Sequence, residues 1–312
     1  FDLINKGHID QTLAMAAKLA KDSGGKLSPV DIVRMATLNP AQFFHMSYRG
    51  RLGIGTRADI AVVEDLEDFN VFATFRNGTL VAREGEIVND VQDYPYHENI
   101  LNSVKIGRTF SAADFQVQSN AKQSKVRVIK MIPEQLITGQ NIETLKAENG
   151  FLQCDMDRDI LKIAVIERHR SINNYTVGYV NGFGIKKGAV ALTIGHDSHN
   201  LAVIGVHDED MAFAVNELAK MQGGVVVCQD GKILASLPLR IGGLMSTATP
   251  RQVVQDKMAV YEAYKALGGH LTDPIIAMSF LQLPVIPELK ITDKSLVEMT
   301  DKGPGKVSLF VG

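Results

Sequence analysis

The chain has 312 residues, 45% of them hydrophobic and 22% charged, with a formal net charge of −2. That length buries a large core and accommodates two domains or more, while near-neutral charge and short, interrupted basic clusters such as Lys122 to Arg127 exclude a nucleic-acid partner. No apolar run reaches the length of a membrane span and no basic-then-apolar leader opens the chain, so no membrane partner is expected and the expected location is the cytoplasm.

Phe1-Asp2-Leu3 enter a helical pattern without an initiator Met, which reads as a fragment or a processed piece. Leu13, Ala16, Ala17 and Ala20 then repeat at helical spacing until Gly24-Gly25 stops the helix. Ser28-Pro29-Val30-Asp31 starts another. Its serine oxygen can accept from an orphan backbone N–H, Pro29 presets the first turn, and the Asp31 carboxylate faces the positive helix end. Asn39-Pro40 breaks that helix. From about Gly50 the texture changes to short strands punctuated by glycine. Ile60 to Val63 is one strand, and Val71 to Ala82 is a hairpin through Asn77-Gly78, a pair that favours a type I′ turn. A small β domain is predicted over about 50–92, with 104–117 added to it, and the polar stretch Gln118 to Lys125 reads as a linker.

Beyond it, Val126 to Lys130 and Asp159 to Ile166 read as strands, followed by the apolar runs Ala189 to Ile194 and Leu201 to Val206. Between those two runs lies the densest chemistry in the chain, Gly195-His196-Asp197-Ser198-His199-Asn200. Asp208-Glu209-Asp210 caps a helix that runs to Gln222 and turns Met211, Val215, Leu218 and Ala219 to one side. A second hairpin passes through Asp230-Gly231, and Thr249-Pro250 starts the last long helix, on which Val254, Met258, Tyr261 and Leu267 can share a face. The order strand, strand, helix, strand, strand, helix predicts an α+β domain after the linker. Cys154 and Cys228 stand in no metal-type spacing and read as buried, unpaired thiols, while Glu167-Arg168-His169-Arg170 reads as a solvated strand end.

Arg34-Met35-Ala36-Thr37-Leu38-Asn39-Pro40-Ala41, followed by Gly53-Ile54-Gly55-Thr56-Arg57-Ala58-Asp59-Ile60, resembles the end of an amidohydrolase-superfamily barrel passing into its small β-sandwich. Gly7-His8-Ile9-Asp10, Thr193 to Asn200, Leu237 to Ser246 and Ser279 to Glu288 look like the bacterial adenine deaminase family in particular. The resemblance implies an α/β plus α+β chain in three parts. Residues 1–48 would be the last helices of a (β/α)8 metal-dependent hydrolase barrel, 49–117 the small β-sandwich, and 118–312 an appended α+β domain. It implies hydrolytic deamination of adenine to hypoxanthine and ammonia by a metal-activated hydroxide. The divalent ion would be Mn, Fe or Zn. Its ligands in that family come from earlier barrel strands, so none is expected in this chain and the missing barrel portion becomes a partner. The resemblance also suggests a homo-oligomer.

Taken alone, His196 to Asn200 is also a polar turn that can satisfy itself through Asp197, Ser198 and Asn200. A metal site of its own would need an irregular turn to bring together His196 and His199, three residues apart between strands. The resemblance places this loop over the barrel mouth. His196, His199 and Asp197 are then catalytic candidates and Ser198, His8 and Arg240 substrate-binding candidates. His8 stands equally well as an exposed residue beside a helix-capping Asp10. Two other functions stay open: another amidohydrolase-superfamily hydrolase, or a non-catalytic purine-binding subunit.

Overall fold

The computed structural model describes residues 2–88 and 94–312. Phe1 and residues 89–93, to which the predicted β domain extends, lie outside the described residues. The chain folds as two compact units, 1–95 and 96–312.

The first unit opens with four helices, α1 (Asp2–Asn5), α2 (Ile9–Asp22), α3 (Pro29–Ala36) and α4 (Leu38–Phe43). The start of α3 is a full capping box: Ser28 Oγ accepts from the Asp31 N–H at 3.2 Å, and the Asp31 carboxylate accepts from the Ser28 N–H at 3.0 Å. An antiparallel meander follows, β1 (Ile60–Val63), β2 (Val71–Arg76), β3 (Thr79–Arg83) and β4 (Glu86–Ile87). Asn77 and Gly78 between β2 and β3 have φ of 52° and 79°, the left-handed pair that a type I′ turn needs. Packing here is thin. Ala20, Ile32 and Phe69 form a small buried cluster, while Met15, Leu19, Phe43 and Phe44 stay exposed.

The second unit begins with α5 (Glu98–Leu101) and is built on one nine-stranded sheet. Its strands are β5 (Gln123–Met131), β6 (Thr138–Glu148), β7 (Phe151–Leu152), β8 (Ile160–Ile166), β9 (Tyr175–Asn181), β10 (Ala189–Leu192), β11 (Leu201–Gly205), β12 (Gly224–Gln229) and β13 (Lys232–Pro238). Their spatial order is β13-β12-β10-β11-β8-β9-β5-β6-β7, antiparallel throughout except for the parallel pair β5 and β9. Around it stand α6 (Asp208–Lys220), α7 (Pro250–Ala266), α8 (Pro274–Ser279), two short 3-10 helices (Ala112–Phe115 and Phe280–Gln282) and a three-stranded sheet of β14 (Leu289–Ile291), β15 (Leu296–Thr300) and β16 (Gly303–Val307).

Alternation along the central strands sorts side chains onto two covered faces. Leu161, Ile163, Val165, Leu192 and Ile204 pack with Val260 and Tyr264 of α7, Met278 of α8, and Leu289 and Ile291 of β14. Ala164, Ile166, Ala191 and Val203 pack with Met211, Val215 and Leu218 of α6. Covered on both faces, β8 hides every side chain, including that of Lys162. That ammonium meets the Asp208 carboxylate, at the start of α6, at 2.6 Å. A buried cation thus has its counter-ion where the helix dipole also favours a negative charge.

Three sequence expectations change here. Residues 104–117, grouped above with the β domain, pack into the second unit, where Val104, Ile106, Phe110 and Phe115 join the α6 core. Gln118 to Lys125 is no linker: Ser119 is buried, its Oγ lies 2.9 Å from Ser124 Oγ, and β5 starts at Gln123. Ser119 and Ser124 turn inward while Gln118, Asn120, Lys122, Gln123 and Lys125 stay exposed, so the polarity marked the exposed start of a strand and not a linker. On α7 the buried stripe is Val260 and Tyr264, leading to Leu267, and Met258 is exposed. Cys154 and Cys228 are both free, Cys228 buried and Cys154 half-buried.

Candidate functional site

The turn between β10 and β11 is fixed by its flanks before its own side chains are considered. Leu192 and Leu201 are fully buried strand ends, and Thr193, also buried, ties the turn downward. Its hydroxyl donates to the Gly243 carbonyl at 2.6 Å and accepts from the Gly224 N–H at 2.8 Å. On the other side, the His196 N–H donates to the Ser279 carbonyl at the end of α8 at 2.9 Å. The His196 ring lies against Phe280, with centroids 4.5 Å apart. Gln282 packs against the Cα of Gly195, where any Cβ would collide with its carboxamide, so a larger residue at position 195 would have to displace that side chain.

His199 closes the turn. Its φ is 49°, in the left-handed region, and its N–H donates back to the Gly195 carbonyl. The irregularity brings the two imidazoles together, with ring centroids 5.5 Å apart. The Gly195 N–H donates to His199 Nδ1 at 3.2 Å, so the neutral ring carries its proton on Nε2. Burial, together with the neighbouring His196 and Arg168, lowers the His199 pKa below the ordinary histidine value of 6.5. At neutral pH His199 is therefore an uncharged ring with an Nε2–H to give.

A second ring of residues grips this turn from below. Arg168 is 1% exposed and follows directly on β8. Its Nε donates to the His199 carbonyl, and its Nη2 donates to the Gly242 carbonyl at 3.1 Å. Burial pulls its guanidinium down to about 10, opposed by the Glu167 carboxylate beside it, and leaves it charged at neutral pH. Glu167 accepts from the backbone N–H groups of His169 at 2.7 Å and Arg170 at 2.8 Å, and the His169 ring Nε2–H donates to the Ser198 carbonyl at 2.8 Å. Asn200 Nδ2 donates to Asp293 at 3.1 Å. Glu167 and Arg168 are thus buried beneath the turn, whereas His169 and Arg170 are exposed, so the solvated strand end expected from the charges forms only in the second half of the segment. Polar residues directly after seven buried ones were the available signal.

The predicted candidates divide accordingly. His196 and His199 come together half-buried, while Asp197 and Ser198 sit exposed at the tip of the same turn. Arg240 is exposed on the segment after β13, whose neighbours Gly242 and Gly243 touch Arg168. His8 belongs to the first unit; it is exposed, and its N–H donates to Asp10 Oδ1 at 2.6 Å. Two imidazoles do not make a metal centre: among the described residues no three His, Cys, Asp or Glu side chains are grouped to hold an ion. The described residues therefore offer no divalent-metal site of their own. Arg168 and Gln282 were not among the candidates read from sequence, because their partners lie far along the chain.

Residues 135–302 match the family described as adenine deaminase C-terminal domain, and residues 2–81 match the amidohydrolase family. A protein named adenine deaminase from Desulfatibacillum aliphaticivorans is 40% identical over 299 residues, which is 96% of this chain and 51% of that protein. Proteins of the same name from Clostridium botulinum (strain Loch Maree / Type A3) and Kosmotoga olearia are 37% and 36% identical, covering 95% and 100% of this chain but 49% and 52% of their own lengths. The chain spans about half the length of these curated relatives. With the C-terminal model matched over more than half of its residues, the chain belongs to the adenine deaminase C-terminal domain family.

Proposed function

We propose that this chain is the C-terminal part of an adenine deaminase, an enzyme converting adenine and water to hypoxanthine and ammonia. In this reading residues 1–48 close a hydrolase barrel, the strands that follow form its small β domain, and the turn at His196 to His199 covers the substrate. The divalent ion, Mn, Fe or Zn, would be held by residues outside this chain, and the enzyme would be a cytoplasmic homo-oligomer, as the family resemblance suggests. The observation that carries the proposal is the pair of imidazoles on a turn anchored at both ends, in a chain whose named relatives are adenine deaminases.

What these residues offer is recognition and proton handling. Adenine presents ring nitrogens that accept hydrogen bonds beside an amino group that donates them. A neutral His199 fixed as the Nε2–H tautomer is a donor suited to such a nitrogen, and its lowered pKa keeps Nδ1 unprotonated and able to accept from the Gly195 N–H. His196, its ring tilted against Phe280, can take up or return the proton that the departing ammonia requires. Asp197, Ser198 and Arg240, all exposed in the second unit, would contact the substrate's polar edge, and His8, exposed in the first unit, is the remaining substrate-binding candidate.

The test is ammonia release from adenine by the intact protein that carries this chain, with hydantoin and cytosine as competing substrates. Replacing His199 or His196 by Ala is expected to lower kcat/KM for adenine by about 10²- to 10⁴-fold. Unchanged turnover in both variants would retire the role of the turn, and preference for hydantoin or cytosine would move the protein to another amidohydrolase activity. Adenine binding without turnover would make it a purine-binding subunit.

A further inference from the structure

We infer that Arg168 is the positioning residue of the His196–His199 turn, its planar guanidinium setting the backbone that presents the His199 ring. A guanidinium can reach two carbonyls in one plane from a single buried point, which an ammonium cannot. Arg168 does so: one edge bonds the His199 carbonyl and another the Gly242 carbonyl, so a single side chain ties the histidine turn to the segment that carries Arg240. Its own backbone is held as well, since its carbonyl accepts from the Lys105 N–H at 2.7 Å. Gly243 lies flat on the guanidinium, where a Cβ would stand 2.9 Å from its central carbon. The third arm, Nη1, is buried and has no hydrogen-bond partner among the described residues, so the two carbonyls are what holds the group in place.

The consequence for His199 is geometric. Its φ of 49° is an uncommon state for a residue with a side chain, and the bond from Arg168 to its carbonyl fixes the peptide that follows that φ. With this peptide fixed, Nδ1 faces the Gly195 N–H and the ring proton stays on Nε2. Removing Arg168 frees the turn to exchange tautomers. The effect on catalysis rests on the reading of His199 given above, whereas the effect on the ring itself does not.

Imidazole nitrogen NMR of the ¹⁵N-labelled chain, with the His199 signals assigned by their loss in His199→Asn, tests the inference. The parent protein at pH 7.5 is expected to show His199 as one neutral tautomer protonated at Nε2. Arg168→Met should give a mixture of tautomers and a higher His199 titration midpoint, in a chain whose circular dichroism is unchanged. A single Nε2–H tautomer with an unmoved midpoint in that variant overturns the inference. If Arg168→Met does not fold, Arg168→Lys carries the test, because it keeps the charge but reaches only one carbonyl. A tautomer mixture is expected there with little change of midpoint, and an unmixed tautomer overturns the inference equally. In the intact protein, Arg168→Lys should lower kcat for adenine by about 10- to 100-fold with a smaller change in KM, the signature of a displaced group. A parent protein that does not turn over adenine defeats the proposed function and leaves the NMR result to decide the positioning role by itself.

Discussion

In the second unit every side chain of β8 from Ile160 to Ile166 is buried, whereas in the first unit α2, nearly four turns long and amphipathic, buries only Ala20 and leaves Met15 and Leu19 each 65% exposed. Both segments carry the apolar periodicity proper to their geometry. They differ in what covers them. β8 has a layer on each face, with α7, α8 and β14 on one side and α6 with Phe110 and Phe115 on the other. α2 has a small cluster around Ile32 and Phe69. Pattern narrows which faces of an element can be buried, and the free energy is gained only when something occupies the face.

The sharpest way to break this comparison is to separate the units. Residues 96–312 are expected to unfold in one cooperative calorimetric transition, and residues 1–95 to show none. A cooperative transition from 1–95 would mean that its small cluster suffices, and the contrast drawn here would be wrong. Single substitutions probe the same difference more gently. Ile163→Ala, which opens a cavity in a core covered on both faces, should cost about 2–5 kcal/mol in urea unfolding. Met15→Ser, on an exposed face, should stay within about 0.5 kcal/mol. Comparable losses at the two sites would remove the distinction between covered and uncovered faces.

The same contrast marks what could be read from the chain. Local signals were legible because their physics is local: Ser28 with Asp31 at a helix start, and Asn77-Gly78 and Asp230-Gly231 with positive φ at hairpin turns. Thr249 before Pro250 behaves likewise, its hydroxyl accepting from the Gln252 N–H at 3.3 Å. The histidine turn was legible as a concentration of chemistry between two buried strands, though not as a convergence, since that depends on a left-handed φ at His199 that no residue type there demands. Arg168 was misread because a charged residue is usually solvated, and its burial depends on carbonyls supplied by His199 and Gly242. Met258 failed for a related reason. Helical spacing offers more than one stripe, and the stripe that faces inward on α7 is chosen by the sheet it meets, through Val260 and Tyr264.

Lys290 supplies a further test, one confined to the second unit. Its side chain is completely buried in β14 beside a cleft of about 140 Å³ lined by Leu136, Thr138, Asp273 and Phe280, and its ammonium donates to the Leu136 carbonyl at 2.9 Å. Burial pulls its pKa from 10.5 down to about 8. Between those values the unfolded chain holds a proton that the folded chain has released, so stability rises with pH across this window. Below about 8 both states carry the proton and the cost of the buried charge is fully present. Urea-derived stability should therefore increase by about 1–2 kcal/mol more between pH 7.5 and 10 in the parent protein than in Lys290→Met, which has no charge to bury. The difference between the two slopes is the quantity to measure, because the other groups that titrate in this range act on both proteins alike. Parallel slopes would mean that the ammonium is solvated through the cleft, and that even this layer of the second unit is open to water as the faces of the first unit are.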